Sequence, residues 1–263
     1  MKKSFSFVRL AAVAACLASF VSSSFAQSPT TQPTKKLRVA VYQDKGAGEK
    51  GWTNVSKCLA VLPDGFDAYK VDAQDIRDGK LAGADVLVQP GGSGSGQAKQ
   101  LEEEGREIIK QFVKNGGGYV GICAGAYLST NDYTWSLGFI NAKVLDRKHW
   151  NRGTGTVKIK FTELGKKILG TSLDVSNVEY FQGPILAPST QPDMPAYLPL
   201  ATYETEIAKN GAIPGLMLGA TAMAASEYGK GHVIAISPHP ERSEGLDGIV
   251  RRAIQWAATG DVK

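Results

Sequence analysis

A cysteine lies between two glycines in Gly121-Ile122-Cys123-Ala124-Gly125, after an apolar run and before a helix-forming segment. A nucleophile at such a strand-to-helix turn is held in a strained backbone conformation, and the residues two positions away must be small for the turn to close. The positive end of the following helix then lies near the sulfur and favours a thiolate. The segment therefore predicts a nucleophile elbow at Cys123. A buried structural cysteine is the alternative, because Gly-x-Cys-x-Gly alone is a weak pattern.

A histidine and a glutamate follow near the end of the chain, in Ser237-Pro238-His239-Pro240-Glu241. Residues i and i+2 of an extended segment face the same way, so the Glu241 carboxylate can orient the His239 imidazole. The two prolines stiffen the segment and block helix formation. Because a cysteine nucleophile requires a base that is oriented by an acid, we predict a triad of Cys123, His239 and Glu241. A surface turn with an incidental histidine is the alternative.

Glycines after another apolar run supply a third element, Pro90-Gly91-Gly92. Gly91 and Gly92 leave room for backbone N–H groups to approach a developing oxyanion. A plain turn between a strand and a helix is the alternative. All three elements follow predicted parallel strands, and open α/β sheets build their sites at the carboxyl ends of such strands. This shared placement favours a catalytic arrangement.

The elements that position these residues follow from apolar periodicity. Buried-strand patterns cover 37–42, 66–71, 84–88, 118–122 and 231–237. Helical patterns cover 49–62 and 97–114, begin again at Ala124, and end the chain around 246–257. The alternation predicts an α/β fold, a mostly parallel sheet with helices on both faces. Four shorter patterns, at 139–145, 156–161, 178–181 and 200–203, fit antiparallel additions at the sheet edge.

The first 26 residues have the pattern of a secretory signal peptide. A basic start precedes the apolar stretch Leu10–Val21, and the small-residue site Ser24-Phe25-Ala26 follows. The stretch is shorter than the roughly 20 residues that span a membrane. We therefore expect a periplasmic or extracellular protein, with a flexible linker over 27–36 and one domain over 37–260.

A lipid anchor is the second interpretation of this N-terminus. Val13-Ala14-Ala15-Cys16 fits a lipoprotein cleavage box, with Cys16 as the lipidated residue. It ranks below soluble export because only six residues separate Arg9 from Cys16 and the apolar character continues beyond it. A membrane contact is expected only if Cys16 is lipidated.

Charge and cysteine content narrow the classes of partner and cofactor. Three of the 30 basic residues lie in the first 26 positions, which leaves 27 against 25 acidic residues. This balance argues against nucleic acid or an anionic membrane as a partner. Two cysteines remain after the signal, Cys58 and Cys123, too few for a disulfide framework or a cysteine zinc site. We expect no metal and no cofactor, and whether the two cysteines pair stays open.

Five stretches carry a resemblance to a known family: VLVQPGGSGSG (86–96), GGGYVGICAGAYL (116–128), HWNRGTG (149–155), YFQGP (180–184) and ISPHPE (236–241). They resemble the biotin-protein ligase N-terminal domain family within the class I glutamine amidotransferase-like superfamily. The resemblance implies a flavodoxin-like, doubly wound fold. It also implies that Cys123 is the nucleophile, His239 the base and Glu241 its orienting acid, with N–H groups of Gly92 and Ala124 in the oxyanion hole.

The chain departs from the superfamily pattern at Tyr127, where glutamine amidotransferases carry the glutamine that helps to hold their substrate. No biotin-ligase domain follows in this chain, so we expect neither ligation nor ammonia transfer. We expect Tyr127, Gln182 and Gly183 to line the substrate pocket, and a turn at the end of a strand is the alternative for Gln182 and Gly183. Arg152, in the loop 149–153, is expected to close over the site and grip a carboxylate, and a solvated loop is the alternative.

These residues lead to a principal functional hypothesis and two alternatives. The first is an exported cysteine hydrolase that cleaves an amide or related acyl bond in a small molecule or peptide. The second is a small-molecule or peptide binding module that keeps the pocket without turnover. The third is a redox or chaperone-like protein in which Cys123 is oxidised reversibly.

Overall fold

The computed structural model describes residues 35–63 and 65–262, together with Met1. The predicted signal peptide, the lipidation site at Cys16 and most of the predicted linker lie outside the described residues. Lys35 and Lys36 precede the first strand without regular structure. Within the described part of the chain, no helix has the length and apolar character to span a membrane.

Eleven strands form one sheet in the described residues. The strands are β1 (Leu37–Tyr42), β2 (Phe66–Val71), β3 (Val86–Gln89), β4 (Gly118–Ile122), β5 (Ala142–Leu145), β6 (Thr154–Phe161), β7 (Val175–Phe181), β8 (Ile185–Pro188), β9 (Leu198–Tyr203), β10 (Thr221–Tyr228) and β11 (Gly231–Ile236). The helices are α1 (Gly51–Ala60), α2 (Ala73–Arg77), α3 (Gly94–Lys114), α4 (Ala124–Ser129), α5 (Glu163–Leu169) and α6 (Asp247–Thr259).

Parallel strands form one half of the sheet and antiparallel strands the other. The order is β2-β1-β3-β4-β11-β10-β9-β6-β7, and all pairings from β2 to β11 are parallel. The pairings from β11 to β7 are antiparallel, and β8 joins β10 and β5 beside this path. The predicted fold class, a parallel α/β sheet with antiparallel additions, is confirmed. Because β3, β4 and β11 are neighbours, the three motifs that follow them meet at one edge.

Apolar side chains on the two faces of the sheet build two cores. In β1, Val39 and Val41 pack into one core, while Ala40 and Tyr42 pack into the other. Helices α1, α5 and α6 supply the first core, and α2, α3 and α4 supply the second. The alternation follows from the two-residue period of a strand, and burial on both faces explains why these strands are continuously apolar.

The boundaries of several elements differ from the sequence prediction. Helix α3 begins at Gly94, three residues early, because Ser93 caps it by accepting from the N–H of Gly96 at 3.1 Å. The same helix is not continuous: Glu102 has φ of 59° and breaks it. Strand β5 begins only at Ala142, and the first three residues of the predicted 139–145 run lie before it.

Four elements have no counterpart in the sequence prediction: α2, α5, β8 and β10. Strand β10 is rich in alanine, which has low strand propensity, and it exists because β11 and β9 pair with its two edges. Helix α5 has only seven residues, which is too short for a clear periodic pattern. The capping residue Thr162 and the left-handed Gly170 were the only sequence features that could have indicated it.

Candidate active site

Cys123 lies directly after β4 in a strained turn. Its φ of 52° and ψ of −98° are unusual for a residue with a side chain. A Cβ on Gly121 would lie 2.3 Å from the carbonyl oxygen of Gly125, and a Cβ on Gly125 would lie 2.0 Å from that of Gln89. Both positions therefore require glycine, and the turn holds the sulfur at the carboxyl end of the parallel strands.

His239 and Glu241 follow β11 and form a hydrogen-bonded pair. Nδ1 of His239 lies 2.6 Å from Oε1 of Glu241, and both side chains are buried. The N–H of His239 donates to the carbonyl of Glu179 at 2.7 Å, and the Ser243 hydroxyl donates to the carbonyl of His239 at 2.7 Å. The backbone on both sides of the imidazole is thus fixed against β7.

The local structure at this pair differs from the extended segment that the sequence predicts. Pro240–Arg242 form a short 3₁₀ turn with the proline in its first position. Proline is compatible with the first turn of a helix because an N–H at that position would have no acceptor within the helix. The turn, rather than strand alternation, brings Glu241 beside His239.

The imidazole of His239 and the side chain of Cys123 both lie next to the α-carbon of Gly91. A Cβ on Gly91 would lie 3.5 Å from Cβ of Cys123, 2.7 Å from Cε1 of His239 and 3.6 Å from its Nε2. Nε2 is buried and has no hydrogen-bond partner among the described residues. The thiol donates to the carbonyl of Phe181 at 3.4 Å. The structure therefore brings the three predicted triad residues together, with one imidazole nitrogen left for a reacting group.

The charge around His239 favours its protonated form. Burial lowers the pKa of an imidazole, but the carboxylate of Glu241 and the negative charge that Cys123 can carry outweigh burial and raise the pKa of His239 well above its ordinary value. A histidine that keeps its proton can donate it to a leaving group.

Gly91 and Gly92 line the same cavity as Cys123 and carry backbone N–H groups. Gly92 has φ of 137°, and a Cβ there would lie 2.1 Å from the carbonyl oxygen of Gly46. The N–H groups of Gly91 and Gly92 make no hydrogen bond within the described residues, and that of Ala124 is in the first turn of α4, where no helical partner exists. Three unused donors thus belong to residues that line the cavity of Cys123 or follow it directly in the chain.

A buried amide fixes the loop that carries these donors. The side chain of Gln97, in α3, donates to the carbonyl of Pro90 at 3.0 Å and accepts from the amide of Gln89 at 2.9 Å. Sequence reasoning missed this residue. A polar side chain on the apolar face of an amphipathic helix, one turn before Leu101, was the signal that pointed to it.

Two cavities of about 400 Å³ each share lining residues in this part of the structure, and Cys123 lines the first of them. The first contains the thiol, the imidazole and a mouth with charged side chains; its lining is Gly48, Glu49, Lys50, Gly51, Asn54, Gly91, Gly92, Cys123, Phe181, His239, Glu241 and Arg242. The second has five aromatic side chains among its eleven lining residues; its lining is Gly92, Ser93, Gly94, Ser95, Tyr127, Tyr133, Trp135, Arg147, Trp150, Phe181 and Gln182. Gly92 and Phe181 belong to both and form their shared border.

Two of the predicted substrate-binding residues line the second cavity. Tyr127, one turn after Cys123, donates its hydroxyl to the carbonyl of Gln182 at 3.1 Å. Gln182 has a strained backbone, with φ of 62°, directly after β7. The hydrogen bond from Tyr127 helps to fix this part of the cavity wall. Trp150 of the predicted loop also lines this cavity. Sequence reasoning missed Phe181, because its carbonyl, which accepts from the thiol, is a backbone group common to all residue types.

The other two predicted substrate-binding residues are not in the described lining of either cavity. Arg152 is 2% exposed, and its guanidinium donates to the Asp146 carboxylate at 2.7 Å. Gly183 is buried, and a Cβ there would lie 2.1 Å from the carbonyl oxygen of Ser237. Close packing against Ser237 therefore explains why position 183 is a glycine. Contact of Arg152 or Gly183 with a substrate stays a prediction.

Cys58 is in a different environment from Cys123. Both thiols are free, so the open question of a disulfide is answered in the negative. Burial, with the nearby carboxylates of Glu241 and Asp247, raises the pKa of the Cys58 thiol to about 12. Cys58 is therefore an inert thiol near neutral pH. In residues 35–63 and 65–262, no group of three or more metal-binding side chains exists.

Residues 37–253 match the family described as "Biotin-protein ligase, N terminal". The chain belongs to this family.

Solved structures share the architecture at low sequence identity. A protein described as ThuA-like from Parabacteroides merdae is 13% identical with a TM-score of 0.54, over 87% of this chain and 92% of that one. A second ThuA-like protein, from Bacteroides uniformis, is 13% identical with a TM-score of 0.55, over 90% and 97%. A β-galactosidase from Rahnella sp. R3 is 16% identical with a TM-score of 0.52, over 83% of this chain but only 31% of that one. At these identities the likeness shows the fold alone.

A sequence relative comes from Chlamydia muridarum. This uncharacterized protein is 30% identical over 102 residues, which are 37% of this chain and 39% of the relative. The match thus spans less than half of either protein, and it supplies no activity, substrate or partner.

Proposed function

We propose that this protein is an exported cysteine hydrolase that cleaves an amide or related acyl bond in a small molecule or peptide. The observation that carries the proposal is the position of the His239 imidazole: its Nδ1 lies 2.6 Å from the Glu241 carboxylate, and its ring shares the space next to Gly91 with Cys123. A nucleophile, a base and an orienting acid in this order form the general arrangement for covalent acyl transfer. The free N–H groups of Gly91, Gly92 and Ala124 support it by supplying donors for an oxyanion.

The first half of the proposed reaction forms an acyl-enzyme. The thiolate of Cys123 attacks the carbonyl carbon, a C–S bond forms, and the carbonyl electron pair moves to the oxygen, which the N–H donors stabilise. As the intermediate collapses, the C–N bond breaks and the imidazolium of His239 gives its proton to the departing nitrogen. A free amine leaves, and a thioester on Cys123 remains.

Water completes the proposed cycle. Neutral His239 takes a proton from a water molecule, whose oxygen attacks the thioester carbonyl. The C–S bond breaks, the acid is released, and the thiolate and imidazolium are restored. The sum is one amide and one water converted to one acid and one amine, with no oxidant, reductant or cofactor.

The principal experiment exposes the purified protein to a panel of amides, peptides and esters and identifies products by mass spectrometry. The proposal expects turnover in the native protein and in Cys58→Ala, and its loss in Cys123→Ala and His239→Gln. Turnover that survives Cys123→Ala, or no turnover on any panel member, counts against a cysteine hydrolase.

Export is the second part of the proposal and rests on the pattern of residues 1–26. Expression of the full chain in a bacterium, fractionation and N-terminal sequencing test it. A mature N-terminus at Gln27 in the periplasm supports soluble export, a lipid-modified Cys16 supports the anchor, and an intact cytoplasmic chain overturns both.

A binding module without turnover is the second candidate, and one observation favours it. The thiol donates to the carbonyl of Phe181, which occupies its proton away from the imidazole. In this case Cys123→Ala keeps full ligand affinity and the panel yields no product.

A further inference from the structure

The second cavity shares Gly92 and Phe181 with the first cavity, which contains the thiol. His239 lines only the first cavity, whereas Tyr127 lines only the second. Cys123 contacts the border directly, because its thiol donates to the carbonyl of Phe181 at 3.4 Å. A molecule whose reacting carbon sits at the sulfur therefore has two directions in which to extend.

The chemistry of the proposed reaction assigns a different part of the substrate to each direction. The leaving group must lie within reach of His239, because the imidazole donates a proton to the departing nitrogen. The leaving group consequently belongs in the first cavity. The acyl part extends from the opposite side of the carbonyl carbon and enters the second cavity.

Aromatic side chains give the second cavity flat walls. The rings of Tyr133 and Trp135 stack with centroids 4.5 Å apart and planes 20° apart, and Tyr127 meets Tyr133 edge-on at 6.1 Å. Trp150 also lines this cavity and is 56% exposed. Gly94 allows this packing, because a Cβ there would lie 3.0 Å from Cη2 of Trp135. Such walls favour a flat ring that can stack or meet their edges.

One cation completes this cavity. Arg147 is the only charged side chain among the described lining residues, and its guanidinium lies 4.2 Å from the centroid of the Tyr133 ring. Nη1 donates to the backbone carbonyl of Asp132 at 3.0 Å and lies 3.5 Å from the Asp132 carboxylate. The remaining N–H groups of Arg147, on a half-exposed side chain, are available to an anion.

From these features we propose that the second cavity is the acyl-group subsite and that it selects a planar aromatic acyl group with a negative charge at its far end. The assignment of the acyl side rests on the proposed hydrolase function. The preference for a flat, anionic ring rests separately on the stacked rings and Arg147.

Calorimetric binding to the full-length Cys123→Ala protein tests the preference without turnover. The probes are 4-carboxybenzamide, benzamide and trans-4-carboxycyclohexanecarboxamide, which separate the charge from the ring. We expect 4-carboxybenzamide to bind about tenfold more tightly than either of the others. Arg147→Gln should remove the advantage over benzamide, while Lys148→Gln, a change at the exposed neighbour outside the described lining, should keep it. Trp150→Leu should weaken the binding of the two aromatic probes, 4-carboxybenzamide and benzamide.

The outcomes separate this inference from the proposed function. Equal affinity of the three probes, no binding of any probe, or an Arg147→Gln variant that keeps the full preference overturns the subsite. Selective binding without hydrolysis in the native protein keeps the subsite and removes the hydrolase. Hydrolysis of panel amides by Cys123 with no preference for aromatic acids keeps the hydrolase and removes the subsite.

Discussion

The α-carbon of Gly91 is so close to the imidazole of His239 that a single added methyl group would overlap the ring. A Cβ at Gly91 would lie 2.7 Å from Cε1 of His239. The glycine that follows β3 therefore has a steric role besides its N–H: it makes room for the imidazole beside the thiol.

Gly91→Ala should displace the imidazole and leave the fold in place. Because a shift of about 1 Å in a catalytic group can cost roughly 10²-fold in rate, we expect a loss of that order in the hydrolysis of any amide that the native protein cleaves. Gly248→Ala, in the first turn of α6, is the control, since a Cβ there has only the Arg251 side chain within 4 Å, at 3.7 Å. Equal rates in the two variants would show that the imidazole position does not limit the reaction.

Glu241→Gln should lower the pKa of His239. The carboxylate is the first of the groups that raise this pKa, so its removal lets burial dominate. The native imidazole should keep its proton through neutral pH and lose it only as pH rises through the raised pKa, and the variant should lose it at least one pH unit lower. NMR titration of the three histidines measures this directly. A His239 that titrates near its ordinary pKa of 6.5 in both proteins would contradict the electrostatic account.

The His239–Glu241 pair also makes the free energy of unfolding depend on pH. Because the folded pKa of His239 is raised, its contribution to the free energy of unfolding is complete below the ordinary value of 6.5 and is lost as pH rises through the raised pKa. Urea unfolding of the native protein and Glu241→Gln at several pH values should show the two stability profiles converging at alkaline pH. Parallel profiles would be inconsistent with this linkage.

Gly125→Ala should destabilise the elbow. A Cβ there would lie 2.0 Å from the carbonyl oxygen of Gln89, a backbone atom that cannot move without distorting β3. We expect a loss of about 3 kcal/mol in the free energy of unfolding, measured in urea. Gly248→Ala serves again as the matched control and should change it by less than about 1 kcal/mol.

Gln97→Met should loosen the loop that carries the oxyanion donors. The substitution keeps the side-chain volume but leaves the carbonyl of Pro90 without its buried donor, at a cost of roughly 1–3 kcal/mol. Hydrogen exchange at the N–H groups of Gly91 and Gly92 should change in this variant and stay unchanged in Gln111→Met, at an exposed position of the same helix. Unchanged exchange in both would assign Gln97 to packing alone.

The parallel half of the fold follows from the sequence because local pattern and burial agree there. Strands β1, β2 and β4 have the predicted bounds, and in β1 and β4 apolar side chains make up most of the strand. The antiparallel half was less accessible. Strand β10 has an alanine-rich sequence with weak local preference, and its two neighbouring strands determine its conformation.

The candidate site likewise contains residues that the sequence could predict and residues that it could not. Cys123, His239 and Glu241 could be found because side-chain type and spacing carry their chemistry. The carbonyl of Phe181 and the Tyr133–Trp135 stack could not, because backbone groups have no sequence signature and the stack depends on how a loop folds back over α4. The Arg152–Asp146 ion pair was likewise invisible, since its partner is chosen by tertiary packing.

The most direct test of the central claim needs no substrate: the rate at which iodoacetamide alkylates each cysteine in the folded protein at neutral pH. Cys58, whose pKa is raised to about 12, is the internal reference. The account predicts that Cys123 reacts at least about tenfold faster than Cys58 and that His239→Gln removes most of this difference. Equal slow labelling of both thiols, or a Cys123 rate that His239→Gln leaves unchanged, would contradict a nucleophile activated by that imidazole.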